Sequence, residues 1–354
     1  MHRRQAPQHR GRHRAGSSAP HGRPAGRGDA PRPGAGVSAL RGAPGKAVVV
    51  FGGGHGMSVN LRALRHLTND LTAIVTVADD GGSSGRLRQE FGIIPPGDLR
   101  MALAALCDDD PTGRAWADVL QSRFGGDGPL AGHAIGNLLI AGLWQQLGDP
   151  VAGLDMVGQL LGARGRVLPM AAVPLQIEAD VLGVDPDAPD EPTVLRGQAT
   201  VASTSGEVCA VRLIPQDPPT RLECLAAVDA ADWAVLGPGS WFTSVIPHLL
   251  VPELAAALTR SSCRRLLTLN LSPEGETRGL SPSRHVEMLA EHAPELRLDV
   301  VLADARACAG DRHLESYVAS LGARLVLADI AARDGSPRHD ALRLASAYAE
   351  VMSL

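Results

Sequence analysis

The sequence predicts an α/β protein, a Rossmann-like three-layer fold around a parallel sheet with an inserted antiparallel β-hairpin region. Three observations predict it. Short apolar runs of strand length alternate with segments whose apolar residues recur at helical spacing. The strand-like runs end in glycine-rich turns, as strands of doubly wound sheets do where they meet a ligand. One mid-chain stretch, by contrast, has the Val/Thr-rich character of antiparallel pairing.

In chain order, the apolar run Ala47–Phe51 meets Gly52-Gly53-Gly54-His55-Gly56, after which Leu61, Leu64 and Leu67 mark a helix. Leu71–Ala78 is a second strand, ending in Asp79-Asp80-Gly81-Gly82-Ser83-Ser84-Gly85-Arg86. Pro95-Pro96-Gly97-Asp98 opens a helix carrying Leu99, Leu103 and Leu106, where Asp98 can accept first-turn N–H bonds. Another helix begins near Gly132-His133 and carries Ile135, Leu138, Leu139 and Leu143. Thr193–Ile214, with Ser205-Gly206 between Val201 and Val208, reads as a hairpin within an inserted subregion at 185–225. The parallel pattern resumes with strands at Trp233–Leu236, Leu266–Leu269, Leu298–Leu302 and Leu325–Leu327, and a helix-compatible run at Val286–Glu291. The folded α/β domain is therefore expected over 46–354.

Charge is unevenly distributed. Residues 1–46 hold ten Lys or Arg and one acid, so the remaining chain holds 24 basic and 37 acidic residues, a net −13. Nucleic acid is thus not an expected partner of the body, and a bound phosphate has to be met by local backbone donors and a few arginines. Residues 1–45, rich in Arg, His, Pro and Gly, are expected to be disordered. That composition also fits a start site placed too early, with Val37 as the first residue. No signal-peptide core and no run of eighteen clearly apolar residues is present, so a cytoplasmic protein without membrane insertion is expected. The five cysteines form no CxxC pair and read as ordinary buried thiols in a reducing compartment.

The chemistry-bearing residues cluster at strand ends. Gly52, Gly53, Gly54 and Gly56 can bring backbone donors against a phosphate at a helix N-terminus, and they serve equally as a purely structural turn. The run lacks GxGxxG, and no GxxxxGK[ST] exists. Gly81, Gly82, Ser83 and Ser84 present backbone and hydroxyl donors, while Arg86 or Arg88 can meet a phosphate. Asp79, Asp80 and Asp98 are candidates for Mg²⁺ or for sugar hydroxyls. Gly237, Gly239 and Ser240 repeat the design after a later strand, and Ser240 can also cap a helix. His133 and Asn137, four apart, share a helix face and can reach one cleft. Asn270 and Gly275-Glu276-Thr277 form either one lip of the site or a polar turn. No HExxH, close Cys/His cluster or GxSxG elbow supports zinc hydrolysis or a serine nucleophile.

These motifs, Phe51–Gly54, Val75–Arg88, Pro95–Arg100, Gly132-His133 with Gly136-Asn137-Leu138, and Gly237–Ser240, resemble in order those of the YvcK family of gluconeogenesis factors. That family lies within the larger 2-phospho-L-lactate transferase-like group, and the resemblance spans about residues 46–330. The resemblance implies a cytoplasmic, UDP-sugar-binding regulatory protein, with a partner such as UDP-N-acetylglucosamine, needed for cell shape and cell-wall homeostasis during gluconeogenic growth. The transferase relatives imply an alternative, a Mg²⁺-dependent transferase acting on a nucleotide-linked phospholactate-type substrate. Under the regulatory reading no cofactor is required. The sequence is compatible with a homo-oligomer. The chain departs from the family pattern at His55, Met101, Trp241-Phe242 and Ser272–Thr277.

Overall fold

A computed structural model describes residues 45–273 and 275–353. All but the last residue of the expected disordered tail lies outside them. Seven parallel strands form the main sheet in the order β10-β9-β8-β7-β1-β2-β3. The first half supplies β1 (Val48–Gly52), α1 (Gly54–Leu64), β2 (Leu71–Val75), α2 (Gly82–Phe91), α3 (Gly97–Leu106), α4 (Pro111–Gln121), α5 (Ile135–Leu147), α6 (Pro150–Leu161) and β3 (Arg166–Pro169). An antiparallel sheet of β4 (Gln176–Leu182), β5 (Thr193–Arg196) and β6 (Glu207–Ile214) is inserted next, with α7 (Gln198–Ala202) between its last two strands. The chain returns through α8 (Leu222–Ala230) to β7 (Trp233–Leu236), α9 (Ile246–Leu249), α10 (Pro252–Arg260), β8 (Arg264–Thr268), α11 (Pro282–His292), β9 (Val300–Asp304), α12 (Leu314–Ser320), β10 (Arg324–Ala328) and α13 (Ala341–Met352).

The strand order explains the layering. Strands are added on one side of β1 up to β3, then on the other side from β7 to β10. Because parallel crossovers are right-handed, this reversal puts the two sets of helices on opposite faces. Accordingly α1 packs on α3 and α13, whereas α8, α9 and α10 pack together and α11 joins α9 and α12. Every residue of β1, β7 and β9 is buried, which is why these strands read as continuous apolar runs without alternation.

The inserted antiparallel region is present as expected, and its pairing differs from the hairpin read over 193–214. β5 and β6 do not pair with each other; both flank β4, which begins at Gln176, before the expected subregion. The expected first strand begins as β5, and helix α7 takes the place of its later part, where Asp80, following β2 of the main sheet, accepts the Ala199 N–H at 3.0 Å. On β4, Ile177, Ala179 and Val181 are fully buried, while Glu178 and Asp180 take ion pairs from Arg212 at 2.9 Å each. Four of the five cysteines are buried as expected; Cys209, on β6, is exposed. Among the described residues no single helix is long and apolar enough to cross a membrane.

Candidate functional site

Strand addition reverses between β1 and β7, and in open α/β sheets such a switch point leaves a crevice at the strands' carboxyl ends. A cleft of about 790 Å³ lies there. Gly53, Gly54, His55 and Gly56 line one side, following β1; Pro238, Gly239 and Ser240 line the other, following β7. These two turns are packed backbone to backbone. A Cβ on Gly56 would collide with the Pro238 carbonyl oxygen and stand 2.6 Å from Gly239 Cα. Glycine is thus required at position 56 for the turns to close. Asn270 fixes the second turn from the end of β8, accepting from Gly239 N–H at 2.9 Å and donating to the Gly239 carbonyl at 2.8 Å.

Beneath the cleft a buried polar chain ties three elements to the same turn. Asn60 on α1 donates to the Gly237 carbonyl at 2.6 Å, and Tyr348 on α13 donates to Asn60 Oδ1 at 2.5 Å. The Tyr348 hydroxyl also pairs with Thr268 Oγ1 at 2.8 Å. Buried polar groups satisfied in this way fix one geometry. Gly237 itself is buried and lies under the turn, outside the cleft lining; Gly52 is likewise buried in β1.

Asp98 reaches the cleft from α3. It does not cap its own helix as expected; its carboxylate lies against the start of α1, where the Gly54 backbone N–H partly offsets its charge. Its Oδ2 is buried and lacks a hydrogen-bond partner. Burial, reinforced by the neighbouring negative charge of Asp79, pushes its pKa up to about 7. Asp79 is folded back so that Oδ1 accepts Gly81 N–H at 3.0 Å, and its Oδ2 would stand 2.7 Å from a Cβ on Gly97. Asp79 does not line this cleft, so of the two carboxylates Asp98 is the one open to it, and its orphaned oxygen suits a divalent cation whose other ligands are phosphate oxygens and water. It equally suits donor hydroxyls. Among the described residues no group of three or more His, Cys, Asp or Glu is placed to hold a metal unaided.

The far wall contains residues that sequence reasoning missed. Arg338, His339 and Asp340 line the cleft together with Asp334 and Arg62. His339 is brought in by its contact with the Leu269 carbonyl at 3.2 Å, and burial pushes its pKa down to about 4, so it is neutral at physiological pH. Arg338 is largely exposed and pairs with Asp334 at 3.2 Å. The available signal was the Arg-His-Asp triplet just before an amphipathic helix, with Asp340 capping α13 through Leu342 and Arg343 N–H at 3.0 Å each.

Glu276 also faces this cleft, and it has a structural task besides. Its Oε1 accepts Phe242 N–H at 2.9 Å at the start of the π-helical turn Trp241–Val245, while Oε2 is buried without a partner. Burial pushes its pKa up to about 7. Ser240 precedes that turn without a side-chain cap; its carbonyl accepts Ser244 N–H at 2.9 Å.

The motif after β2 opens onto a different cavity. Asp80, Gly82, Ser83, Gly85 and Arg86 line a space of about 1020 Å³ that shares no lining residue with the switch-point cleft. The candidate phosphate-binding residues at the strand ends therefore line two cavities. The hydroxyls of this motif are largely committed inward. Ser83 Oγ contacts His133 Nδ1 at 3.0 Å and accepts from Asn137 Nδ2 at 3.0 Å and Ala134 N–H at 3.3 Å. Asn137 also reaches Ser84 Oγ at 3.4 Å. His133 and Asn137 thus brace the start of α2 from beneath and line neither chamber, as do Gly81 and Ser84. Burial and the nearby Arg86 charge lower the His133 pKa. Arg100 is buried and points away, toward Gln121 and the Leu120 carbonyl at the end of α4.

The family model described as 2-phospho-L-lactate transferase CofD matches residues 48–339, an interval that takes in the whole lining of the cavity after β2 and all of the switch-point cleft's lining except Asp340 and Ala341. The chain is 55% identical over 303 residues to the "Putative gluconeogenesis factor" of Mycobacterium tuberculosis strain H37Rv, covering 84% of this chain and 88% of that protein. It is 36% identical over 259 residues to the "Gluconeogenesis factor" of Bacillus subtilis strain 168, covering 73% and 78%. A crystal structure of a member of the UPF0052 family from Bacillus halodurans superposes with a TM-score of 0.75 at 34% identity, covering 86% of this chain and 99% of that one. The chain therefore belongs to the YvcK family of gluconeogenesis factors, within the group typified by the 2-phospho-L-lactate transferase CofD.

Proposed function

We propose that the switch-point cleft binds a nucleotide-diphosphate-linked ligand, a UDP-sugar such as UDP-N-acetylglucosamine, and that the protein acts as a cytoplasmic regulator of cell shape and cell-wall homeostasis under gluconeogenic growth. The observation that carries this reading is the pair of glycine turns closed on each other at the β1/β7 reversal. Backbone N–H groups at the start of α1 supply donors for a diphosphate where side-chain charge is scarce. Arg338 and Arg62 supply positive charge from the rim. Asn270, Asp334 and Asp340 bring acceptors for ribose and sugar hydroxyls to the same walls. The relatives in M. tuberculosis and B. subtilis, named as gluconeogenesis factors, support the biological half of the proposal.

A second reading has the more direct support from the family model: a transferase acting on a nucleotide-linked phospholactate-type substrate. The specific observation in its favour is the orphaned Asp98 oxygen on the cleft lining, with the negative charge of Asp79 behind it. In that reading Asp98 would hold Mg²⁺, with Asp79 adding negative charge behind it, and the metal would supply charge neutralisation at the phosphoryl oxygens. Asp98 would stay ionised against the metal, and the α1 N-terminus would orient the diphosphate.

One experiment separates the two. The full chain is titrated calorimetrically with UDP-N-acetylglucosamine in excess EDTA, then incubated with the same ligand, Mg²⁺ and phospholactate-type and deazaflavin acceptors for mass spectrometry. Metal-independent binding with the ligand recovered intact supports the regulator. Product that disappears in Asp98→Asn establishes the transferase, and no binding under either condition overturns the assignment of the cleft.

A further inference from the structure

The cavity after β2 has a basic lining. Three guanidinium groups line it: Arg86 and Arg88 from α2, and Arg123 from the connection between α4 and α5. Each is held by one N–H to a backbone carbonyl. Arg86 donates to Ala131 at 2.8 Å, Arg88 to Leu175 at 2.6 Å and Arg123 to Gly132 at 2.8 Å. A guanidinium carries five N–H donors, so this anchoring fixes each group while leaving further donors for the cavity. Among the described residues none of the three forms an ion pair, although the body of the protein is acidic.

Asp80, the one carboxylate on the lining, offsets them only in part: its charge, with that of Asp79, acts on Arg88, and it forms no ion pair with any of the three. Its Oδ1 accepts the Ala199 N–H at 3.0 Å and its Oδ2 lies against Gly197, so the group is turned onto the start of α7. Helix α7 in turn presents Gln198 and Ala202 to the switch-point cleft. The two chambers are thus separated by a wall with its own hydrogen bonds.

We propose that this cavity is a second binding site, independent of the switch-point cleft, for a phosphorylated small molecule. Three fixed guanidiniums match a phosphoryl group, which offers three strong acceptor oxygens and up to two negative charges. The N-terminal backbone of α2 at Gly82 and Ser83 adds donors on the same wall. The cavity is far larger than a phosphate ion, and Gln89 and Gln176 line the remainder. Their amides both donate and accept, as recognition of hydroxyl or carbonyl groups on an organic body requires.

The test uses the full chain with inorganic phosphate and glycerol 3-phosphate as probes, measured by calorimetry or ligand-observed NMR in low salt. Both probes are expected to bind the wild type, glycerol 3-phosphate more tightly. Arg123→Ala should weaken that binding about tenfold or more, and Arg123→Lys should weaken it less. Arg338→Ala, in the other chamber, should leave it unchanged. The same titrations in saturating UDP-N-acetylglucosamine should still show phosphate binding. Binding unaffected by Arg123→Ala, abolished by Arg338→Ala, or displaced by the UDP-sugar would overturn a separate site, as would absence of binding to the wild type. If UDP-N-acetylglucosamine itself does not bind, the Arg123 and Arg338 variants still decide this inference, so its fate is separable from that of the proposed function.

Discussion

Replacing Asp98 by Asn should stabilise the ligand-free protein at alkaline pH and have little effect in acid. The Asp98 carboxyl is shifted from 3.8 to about 7 by burial and by Asp79, which means that ionising it in the folded state is unfavourable. A group whose folded pKa lies above its unfolded one contributes stability below the unfolded value, and that stability is lost as pH rises through the folded value. The window is therefore about pH 4 to 7, and above it the charged carboxylate is a net burden on the apo fold. The full shift corresponds to roughly 4 kcal/mol, and solvent screening of a partly exposed residue reduces the measurable share to about 1–2 kcal/mol. In Asp98→Asn the amide removes a like charge beside Asp79 while keeping the side chain's size at the start of α1. For a domain this size the thermal midpoint at pH 8 should rise by roughly 2–4 °C, with no rise at pH 4. Differential scanning calorimetry across that range measures it. An equal shift at both pH values, or destabilisation at pH 8, would refute the assignment of a strained, uncompensated charge.

Two further substitutions probe the framework of the cleft. Gly56→Ala places a methyl group against the Pro238 carbonyl, where the Asn270 clamp on Gly239 prevents the turn from yielding. It should destabilise by about 1–3 kcal/mol and lower UDP-N-acetylglucosamine affinity at least about tenfold, read by chemical denaturation and calorimetry; normal values for both would show the turns to be free to separate. Tyr348→Phe strips the donor from Asn60 Oδ1 and should cost about 1–3 kcal/mol, detected as a lower denaturation midpoint, and a neutral effect would mean that the buried chain from α13 to Gly237 is dispensable.

The fold was legible in the sequence wherever burial is continuous. β1, β7 and β9 are covered on both faces, so their apolar runs stand out without any alternation to decode. β3 was missed because it is only four residues long and ends in Pro169. β4 was missed because Glu178 and Asp180, unfavourable for a strand by composition, are paired by Arg212 across the insertion sheet. Helix α2 begins Gly-Ser-Ser-Gly, a poor helical start; its order comes from His133 and Asn137, fifty or more residues away, bracing Ser83.

The site divides in the same way. Motif spacing marked both glycine turns of the switch-point cleft, because close backbone approach leaves a glycine signature in the chain itself. It gave no means of separating those turns from the Asp79–Arg86 motif, since all three follow parallel strands and differ only in which strands are neighbours. Strand order decides the matter: β7 lies beside β1 on the side away from β2, so the turns after β1 and β7 close on each other while the motif after β2 faces the insertion sheet and the α4–α5 connection. The acidic body makes that separation consequential. With a net −13 outside the tail, long-range attraction does not gather anions, and each chamber must offer its own donors: backbone N–H groups with Arg338 and Arg62 in one, three anchored guanidiniums in the other. Anion binding in either chamber should therefore be governed by local geometry more than by ionic steering, and substitutions that move a donor should outweigh those that change surface charge.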